Sequence, residues 1–150
     1  MIKVIPFEPE HIYGMKPLIE NENLESALLN MEYLNALKKL GVAFSGFTPD
    51  GECVGVAGVR QINLKTYEGW AILSKDSNKY IKSILRAVDM FIKNYFEFDA
   101  ADRIQATVKL SYNKGHRFAK LLGFSPEGIL RNYEYGEDYM MYARINTWLK

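Results

Sequence analysis

The segment Ser74-Lys75-Asp76-Ser77-Asn78-Lys79-Tyr80 gathers cationic, hydroxyl and amide side chains immediately before a long amphipathic stretch. A helix start presents backbone N–H groups and the positive end of the helix dipole, so such a loop is a candidate seat for a phosphate. Lys75, Lys79 and Lys82 would add charge and Ser77 and Asn78 side-chain donors, whereas Asp76 opposes an anion. The competing reading is that Asp76 or Ser77 simply caps the helix and the lysines form a solvated face. A second concentration of chemistry lies near the C-terminus, where Tyr133, Tyr135, Tyr139 and Tyr142 crowd two strand candidates. Aromatics in strands mostly pack across the ladder, though exposed ones can also build a binding surface. One cysteine, Cys53, and two histidines, His11 and His116, leave too few soft ligands for a zinc site, so no metal is expected. Cys53 lies in an apolar stretch and reads as a buried strand thiol.

Those groups need elements to hold them. Residues 2–6 form a short apolar strand candidate closed by Pro6 and Pro9, and 10–18 a first irregular helix interrupted at Pro17. From 24 to 40, Ala27, Leu28, Met31, Leu34 and Leu37 recur at helical spacing and Gly41 supplies a stop. Residues 42–47 and 53–59, joined by Thr48-Pro49-Asp50-Gly51, read as a hairpin, with 67–73 as a further strand. The clearest helix covers 77–96, with Tyr80, Ile81, Ile84, Leu85, Val88, Phe91, Ile92 and Tyr95 on one face. Residues 103–110 alternate, with Ile104, Ala106, Val108 and Leu110 inward. A helix over 112–122 places Phe118, Leu121 and Leu122 on its apolar side and Gly123 at its end. Strands over 124–130 and 139–145 follow. This order predicts an α/β sandwich, a mixed sheet of about seven strands flanked by about four helices.

A length of 150 residues, 48% apolar, suits one domain with one sizeable core. The formal charge of +1 provides no strong field, so neither nucleic acid nor an anionic membrane is expected as a partner. No apolar run is long enough to span a bilayer, and the N-terminus lacks a signal-peptide pattern, so a soluble cytoplasmic protein is expected.

The element order, with Leu122-Gly123-Phe124 and the closing Gly128-Ile129-Leu130-Arg131-Asn132-Tyr133 to Asp138, resembles the GNAT superfamily of N-acetyltransferases. The ending is most similar to the small GNAT-like proteins of tailed bacteriophages, and the chain reads as a divergent member. The resemblance implies an acetyl-coenzyme A cosubstrate whose pantetheine arm lies against the strand edge 70–73, with 106–110 as the opposite wall. The diphosphate would sit at Ser74, Lys75, Ser77, Asn78, Lys79 and Tyr80. It implies Glu68 as general base, the backbone N–H of Ile72 or Leu73 as oxyanion donor, and Asn113 as a pantetheine contact. Tyr133, Tyr135 and Asp138 would shape the acceptor site.

Two departures accompany the likeness. The diphosphate loop contains no glycine, and the position of the family's thiolate-protonating tyrosine holds Ala119. Tyr112, or else His116, is the candidate substitute acid. The implied activity is acetyl transfer to an amine of a protein or small molecule. The alternative is a GNAT-shaped protein-binding module of phage type that has lost catalysis.

Overall fold

The computed structural model describes residues 1–15, 31–98 and 100–147. Its strands are β1 (Lys3–Pro6), β2 (Gly41–Phe47), β3 (Cys53–Asn63), β4 (Thr66–Leu73), β5 (Arg103–Lys109), β6 (Ser125–Glu134) and β7 (Glu137–Ile145). Its helices are α1 (Glu10–Tyr13), α2 (Met31–Lys39), α3 (Ile81–Glu97) and α4 (Asn113–Leu121). The strands form one mixed sheet in the order β1-β2-β3-β4-β5-β7-β6, the α/β architecture that the element order implied. Contacts divide the chain into two compact units, Met1–Arg60 with Trp70–Ala87, and Gln61–Gly69 with Val88–Lys150.

In the first unit β2 pairs antiparallel with both β1 and β3. The β2–β3 reversal closes because the Thr48 carbonyl accepts from the Gly51 N–H, at 2.9 Å, and Thr48 Oγ1 accepts from the Glu52 N–H, at 3.1 Å. The core gathers Phe7, Ile12, Met15, Leu34, Leu37, Cys53, Val56 and Ile72. Leu34 and Leu37, three residues apart on α2, are its contribution from the helix. Residues 24–30 of the expected helix, and the expected first helix beyond Met15, lie outside the described residues. Cys53 is buried as expected, and burial pushes its thiol up from the ordinary range. His11 is structural too: its Nδ1 accepts from the Glu8 N–H at 3.1 Å and lies 2.7 Å from the buried Ser45 hydroxyl, fastening α1 to β2.

In the second unit β5 pairs antiparallel with β7, and β7 with β6. The β4–β5 ladder is parallel, with Thr66, Tyr67 and Glu68 opposite Arg103, Ile104 and Gln105. A parallel pair needs a long crossover, and the return is clasped on both sides. The Lys65 carbonyl accepts from the Asp102 and Arg103 N–H groups. The buried Asn146 amide donates at 3.0 Å to the carbonyls of Phe96 and Ala101, while its own N–H reaches the Asp102 carbonyl.

The Leu-Gly-Phe segment is a helix stop in atomic terms. Gly123 has φ of 83°, and the Phe124 N–H reaches back to the Ala119 carbonyl, the bond of a Schellman cap. Three sequence expectations are corrected here. Leu121 is 60% exposed, while Ala119 and Leu122, three apart on one helical face, are buried. Leu110 is exposed rather than inward because β5 ends at Lys109 and the chain turns there, the Tyr112 N–H donating to the Lys109 carbonyl. The expected helix over 77–96 opens instead as a 3-10 turn, Ser77–Tyr80, before α3.

Arg144 joins three elements of this unit. Its Nη1 donates to Asp89 on α3 at 2.8 Å and to the Leu122 carbonyl at the end of α4 at 2.7 Å, and its guanidinium lies 5.9 Å from the Phe96 ring centre. Burial alone would raise the Asp89 carboxyl, but hydrogen bonds from Lys93 and Arg144 and their charges hold it below the usual carboxylate range.

Replacement of Asn146 by alanine should leave two buried carbonyls without their donor, lowering unfolding free energy by about 2 kcal/mol in urea titration. A depressed folded value means that the Asp89 contribution is present above the unfolded carboxylate pKa of about 3.9 and is lost as pH falls through the folded one. Unfolding midpoints of Asp89→Asn measured from neutral pH into acid should therefore start lower than wild type and converge on it as the acid limb is reached.

Candidate active site

The residues singled out by sequence fall in both units. In the first, Ile72 and Ser74 are buried on β4 and at its end, and the Ser74 N–H donates to the Val54 carbonyl at 2.9 Å. Leu73 packs against Gly55, where a methyl group would come within 2.9 Å of the leucine side chain. The loop then tightens on itself. The N–H groups of Ser77, Lys79 and Ile81 donate to the carbonyls of Ser74, Asp76 and Asn78, and Asp76, at the cap position, makes no side-chain capping bond. These amides are engaged in turns rather than converging outward as in a glycine-rich anion loop. Lys75, Asn78 and Lys79 are exposed, Tyr80 is half-buried and Ser77 is buried, so surface donors here are mainly side chains. Among the described residues the Ser74 hydroxyl and the Trp70 indole N–H are buried without a hydrogen-bond partner. An unpaired buried donor costs about 1–3 kcal/mol, a cost that a ligand acceptor would remove.

In the second unit Glu68 lies half-buried on β4, directly opposite Gln105. Tyr112 is the residue before α4, and its ring lies over Gly115, where a methyl group would stand 2.6 Å from the ring and 2.7 Å from Val108. Only glycine at 115 lets the ring lie there. Asn113 opens α4 and is exposed.

His116 is not the surface side chain that helical position alone suggests. Its Nε2 lies 2.9 Å from the Leu110 carbonyl and its Nδ1 2.7 Å from the Tyr142 hydroxyl. A carbonyl only accepts, so in the neutral ring Nε2 carries the proton and Nδ1 accepts from Tyr142. Both ring nitrogens are therefore engaged within the second unit.

The β6–β7 hairpin holds the proposed acceptor residues. Glu134 pairs with Glu137, leaving Tyr135 and Gly136 as a two-residue turn with φ of 50° and 76°. Positive φ at both positions is the geometry of a type I′ turn, which favours Asn-Gly. Tyr135 carries an 84% exposed ring on a backbone conformation unfavourable for it. Asp138 accepts from the Asn132 N–H at 2.9 Å, holding a bulge in which Asn132 also has positive φ. Tyr133 packs on Tyr139, with ring centres 5.2 Å apart. An open groove of about 370 Å³ is lined by Leu110, Ser111, Gly136, Glu137 and Asp138.

Sequence reasoning did not find the cluster beside Glu68. Arg103 makes a two-pronged pair with Glu127, at 3.0 and 2.5 Å, while its Nε donates to Gln105 Oε1 at 2.9 Å. Glu127 holds the guanidinium above its ordinary range, and Arg103 in return holds the Glu127 carboxyl down. The alternation of β5 hinted at a polar face, but the partner from β6 lies beyond any local pattern.

No family model matches the sequence, and no curated protein matches it significantly. Solved structures do match its shape. Ribosomal-protein-S5-alanine acetyltransferase from Vibrio fischeri aligns with TM-score 0.70 and 18% identity over 99% of this chain and 95% of its own. A spermidine N-acetyltransferase SpeG chimera from Vibrio cholerae and hSSAT aligns with TM-score 0.74 and 15% identity, covering 98% and 96%. A mutant form of spermidine N-acetyltransferase SpeG from Vibrio cholerae aligns with TM-score 0.68 and 13% identity, covering 97% and 95%. The fold is thus that of the GNAT N-acetyltransferases, as the sequence resemblance implied.

Glycine at 135 removes the penalty for a side chain at positive φ, so Tyr135→Gly should raise stability by about 1 kcal/mol, seen as a higher melting temperature. An unchanged or lower melting temperature would mean that the exposed ring makes stabilising contacts of its own.

Proposed function

We propose that this chain is an acetyl-coenzyme A dependent N-acetyltransferase, one domain over residues 1–150, acting on an amine of a protein or small molecule in the cytoplasm. The observation that carries the reading is the agreement of fold with N-acetyltransferases over nearly the full length of both partners. Nothing in the described helices is long and apolar enough to cross a membrane.

Acetyl-coenzyme A, when bound, supplies the activated acetyl group. The residues that would hold it fit through side chains more than through backbone. Lys75 and Lys79 carry charge for the diphosphate, Asn78 is exposed to donate, and the unpaired Ser74 hydroxyl can turn to a ligand oxygen. Ser77 is buried and supports the turn, and Tyr80 closes it. The pantetheine arm would follow β4 over 70–73, where strand backbone offers amide partners, with Asn113 as a further contact. The Ile72 or Leu73 N–H would stabilise the oxyanion of the tetrahedral intermediate. Glu68 would take the proton of the attacking amine and Tyr112 return one to the departing thiolate. Tyr133 and Tyr135 would line the acceptor site, with Asp138 fixing the bulge that carries Tyr133.

A second reading, a catalytically inactive GNAT-fold protein-binding module like those of tailed bacteriophages, is favoured by two observations. The glycine-free loop closes its amides into 3-10 turns, and Ala119 stands where the family acid is expected.

Calorimetric titration should detect acetyl-coenzyme A binding tighter than about 1 mM. Glu68→Gln should keep that affinity and lower turnover about 100-fold, the usual loss of a general base. Lys79→Ala should weaken binding about tenfold, as expected for a charge-assisted contact, with turnover of the saturated enzyme preserved. No binding by the wild-type protein would leave the binding-module reading standing alone.

A further inference from the structure

We propose that His116 is a positioning residue for the start of α4: its imidazole, set in one tautomer by Tyr142, holds the Leu110 carbonyl and so fixes the turn that presents Asn113. The inference rests on the reading of Asn113 as a pantetheine contact, and every bond behind it lies within the second unit.

Ser, Thr, Asp or Asn before a helix fixes its first turn by accepting from a backbone N–H there. Before α4 that place is held by Tyr112, which makes no side-chain capping bond, so the turn needs another fastening. The backbone supplies part of it. The Tyr112 carbonyl accepts from the Gly115 and His116 N–H groups at 3.1 and 3.3 Å, and the Tyr112 N–H donates to the Lys109 carbonyl at 2.9 Å. Leu110 and Ser111 are exposed, so burial does not hold the chain between β5 and α4. Two bonds from other parts of the unit do. The Leu110 N–H donates to the Asp138 carbonyl on β7, and the Leu110 carbonyl lies 2.9 Å from His116 Nε2.

The lock comes from the far side of the ring. With Nε2 protonated toward the carbonyl, Nδ1 presents its lone pair to the Tyr142 hydroxyl at 2.7 Å. The other neutral tautomer would set a lone pair of Nε2 against the carbonyl oxygen and leave the Tyr142 proton to find a new acceptor, losing one bond and adding a repulsive contact. Tyr142 is 2% exposed, and burial pushes its hydroxyl above the ordinary range, so it remains a donor. Its place is set by β7, where it stands opposite Ala106 of β5. A buried strand tyrosine thus orients an imidazole in the first turn of α4, and the imidazole orients a carbonyl in the turn before it. Asn113 lies midway between Leu110 and His116, exposed, at the first position of α4. With the backbone held on both sides, its amide meets a ligand with less freedom left to lose.

Two readouts test this. In the ligand-free protein, nitrogen-15 spectra recorded above the imidazole titration range should show the His116 ring as the Nε2–H tautomer alone. Tyr142→Phe, which removes one oxygen and keeps the ring in the core, should bring in the second tautomer. An Nδ1–H ring in the wild type, or a ring unmoved in Tyr142→Phe, overturns the proposal whether or not the protein binds a coenzyme. In calorimetric titration, His116→Ala should weaken acetyl-coenzyme A binding about tenfold and Tyr142→Phe about threefold, and neither should add to the loss in an Asn113→Ala background. A histidine that is merely structural would lower the melting temperature alone. Full additivity with Asn113→Ala, or wild-type affinity in a His116→Ala protein of lowered melting temperature, would therefore also overturn the proposal. If His116→Ala does not fold, Tyr142→Phe carries the same comparison. Wild-type protein that binds no acetyl-coenzyme A defeats the reading of Asn113, and with it the role of His116 toward the coenzyme, while the ring resonances still report whether Tyr142 sets the tautomer.

Discussion

A parallel pairing three residues long holds the second unit's part of β4 beside β5, and the rest of that unit is arranged so that this short ladder survives. Parallel strands gain no support from a tight turn, so the chain must leave, form a helix and come back in register. The return is held by backbone and side-chain hydrogen bonds together. Lys65 receives two N–H groups from Asp102 and Arg103, and Asn146 bridges the end of α3 to the end of β7. Loss of register by one residue would turn Glu68 to the opposite face of the sheet. The chemistry proposed for Glu68 thus depends on a clasp whose far half, Asp102, Arg103 and Asn146, comes from distant parts of the chain.

The polar groups of this unit are arranged in pairs with distinct tasks. Arg144 ties α3 and the end of α4 to β7 through Asp89 and the Leu122 carbonyl. Arg103 ties β5 to β6 through Glu127 and orients Gln105. His116 ties α4 to β7 through Tyr142 and to the preceding turn through Leu110. Each is partly shielded from water, where directed hydrogen bonds hold better than exposed ion pairs do. Strain is concentrated instead at the β6–β7 hairpin, where Asn132 and Tyr135 both take positive φ. An exposed aromatic ring kept on such a backbone is a feature that stability does not explain, and the acceptor reading gives it a purpose.

The loop after β4 changes how an anion would be held. Glycine-rich loops offer backbone amides because no side chain blocks their approach. Here three amides close 3-10 turns, and Lys75 and Lys79 offer mobile charge in their place. Charge on flexible side chains is screened by salt more than fixed backbone dipoles are, so a ligand held this way would be held less selectively.

Periodicity and punctuation in the sequence were enough to determine most of the elements among the described residues. The apolar spacing of 81–95, the stop at Leu122-Gly123-Phe124 and the alternation of β5 are local signals, and local backbone physics reads them directly. Leu110 and Leu121 misled because both lie at element ends, where a residue of the right type meets the wrong geometry. The strand order, the register opposite Glu68 and the partners of Arg103, His116 and Arg144 were decided only in three dimensions. Those contacts join residues 24 to 55 positions apart in the chain for Arg103 with Glu127, His116 with Tyr142 and Arg144 with Asp89. No single segment carries the energy of such a contact, which exists only once separate strands and helices have packed and left each donor one acceptor within reach.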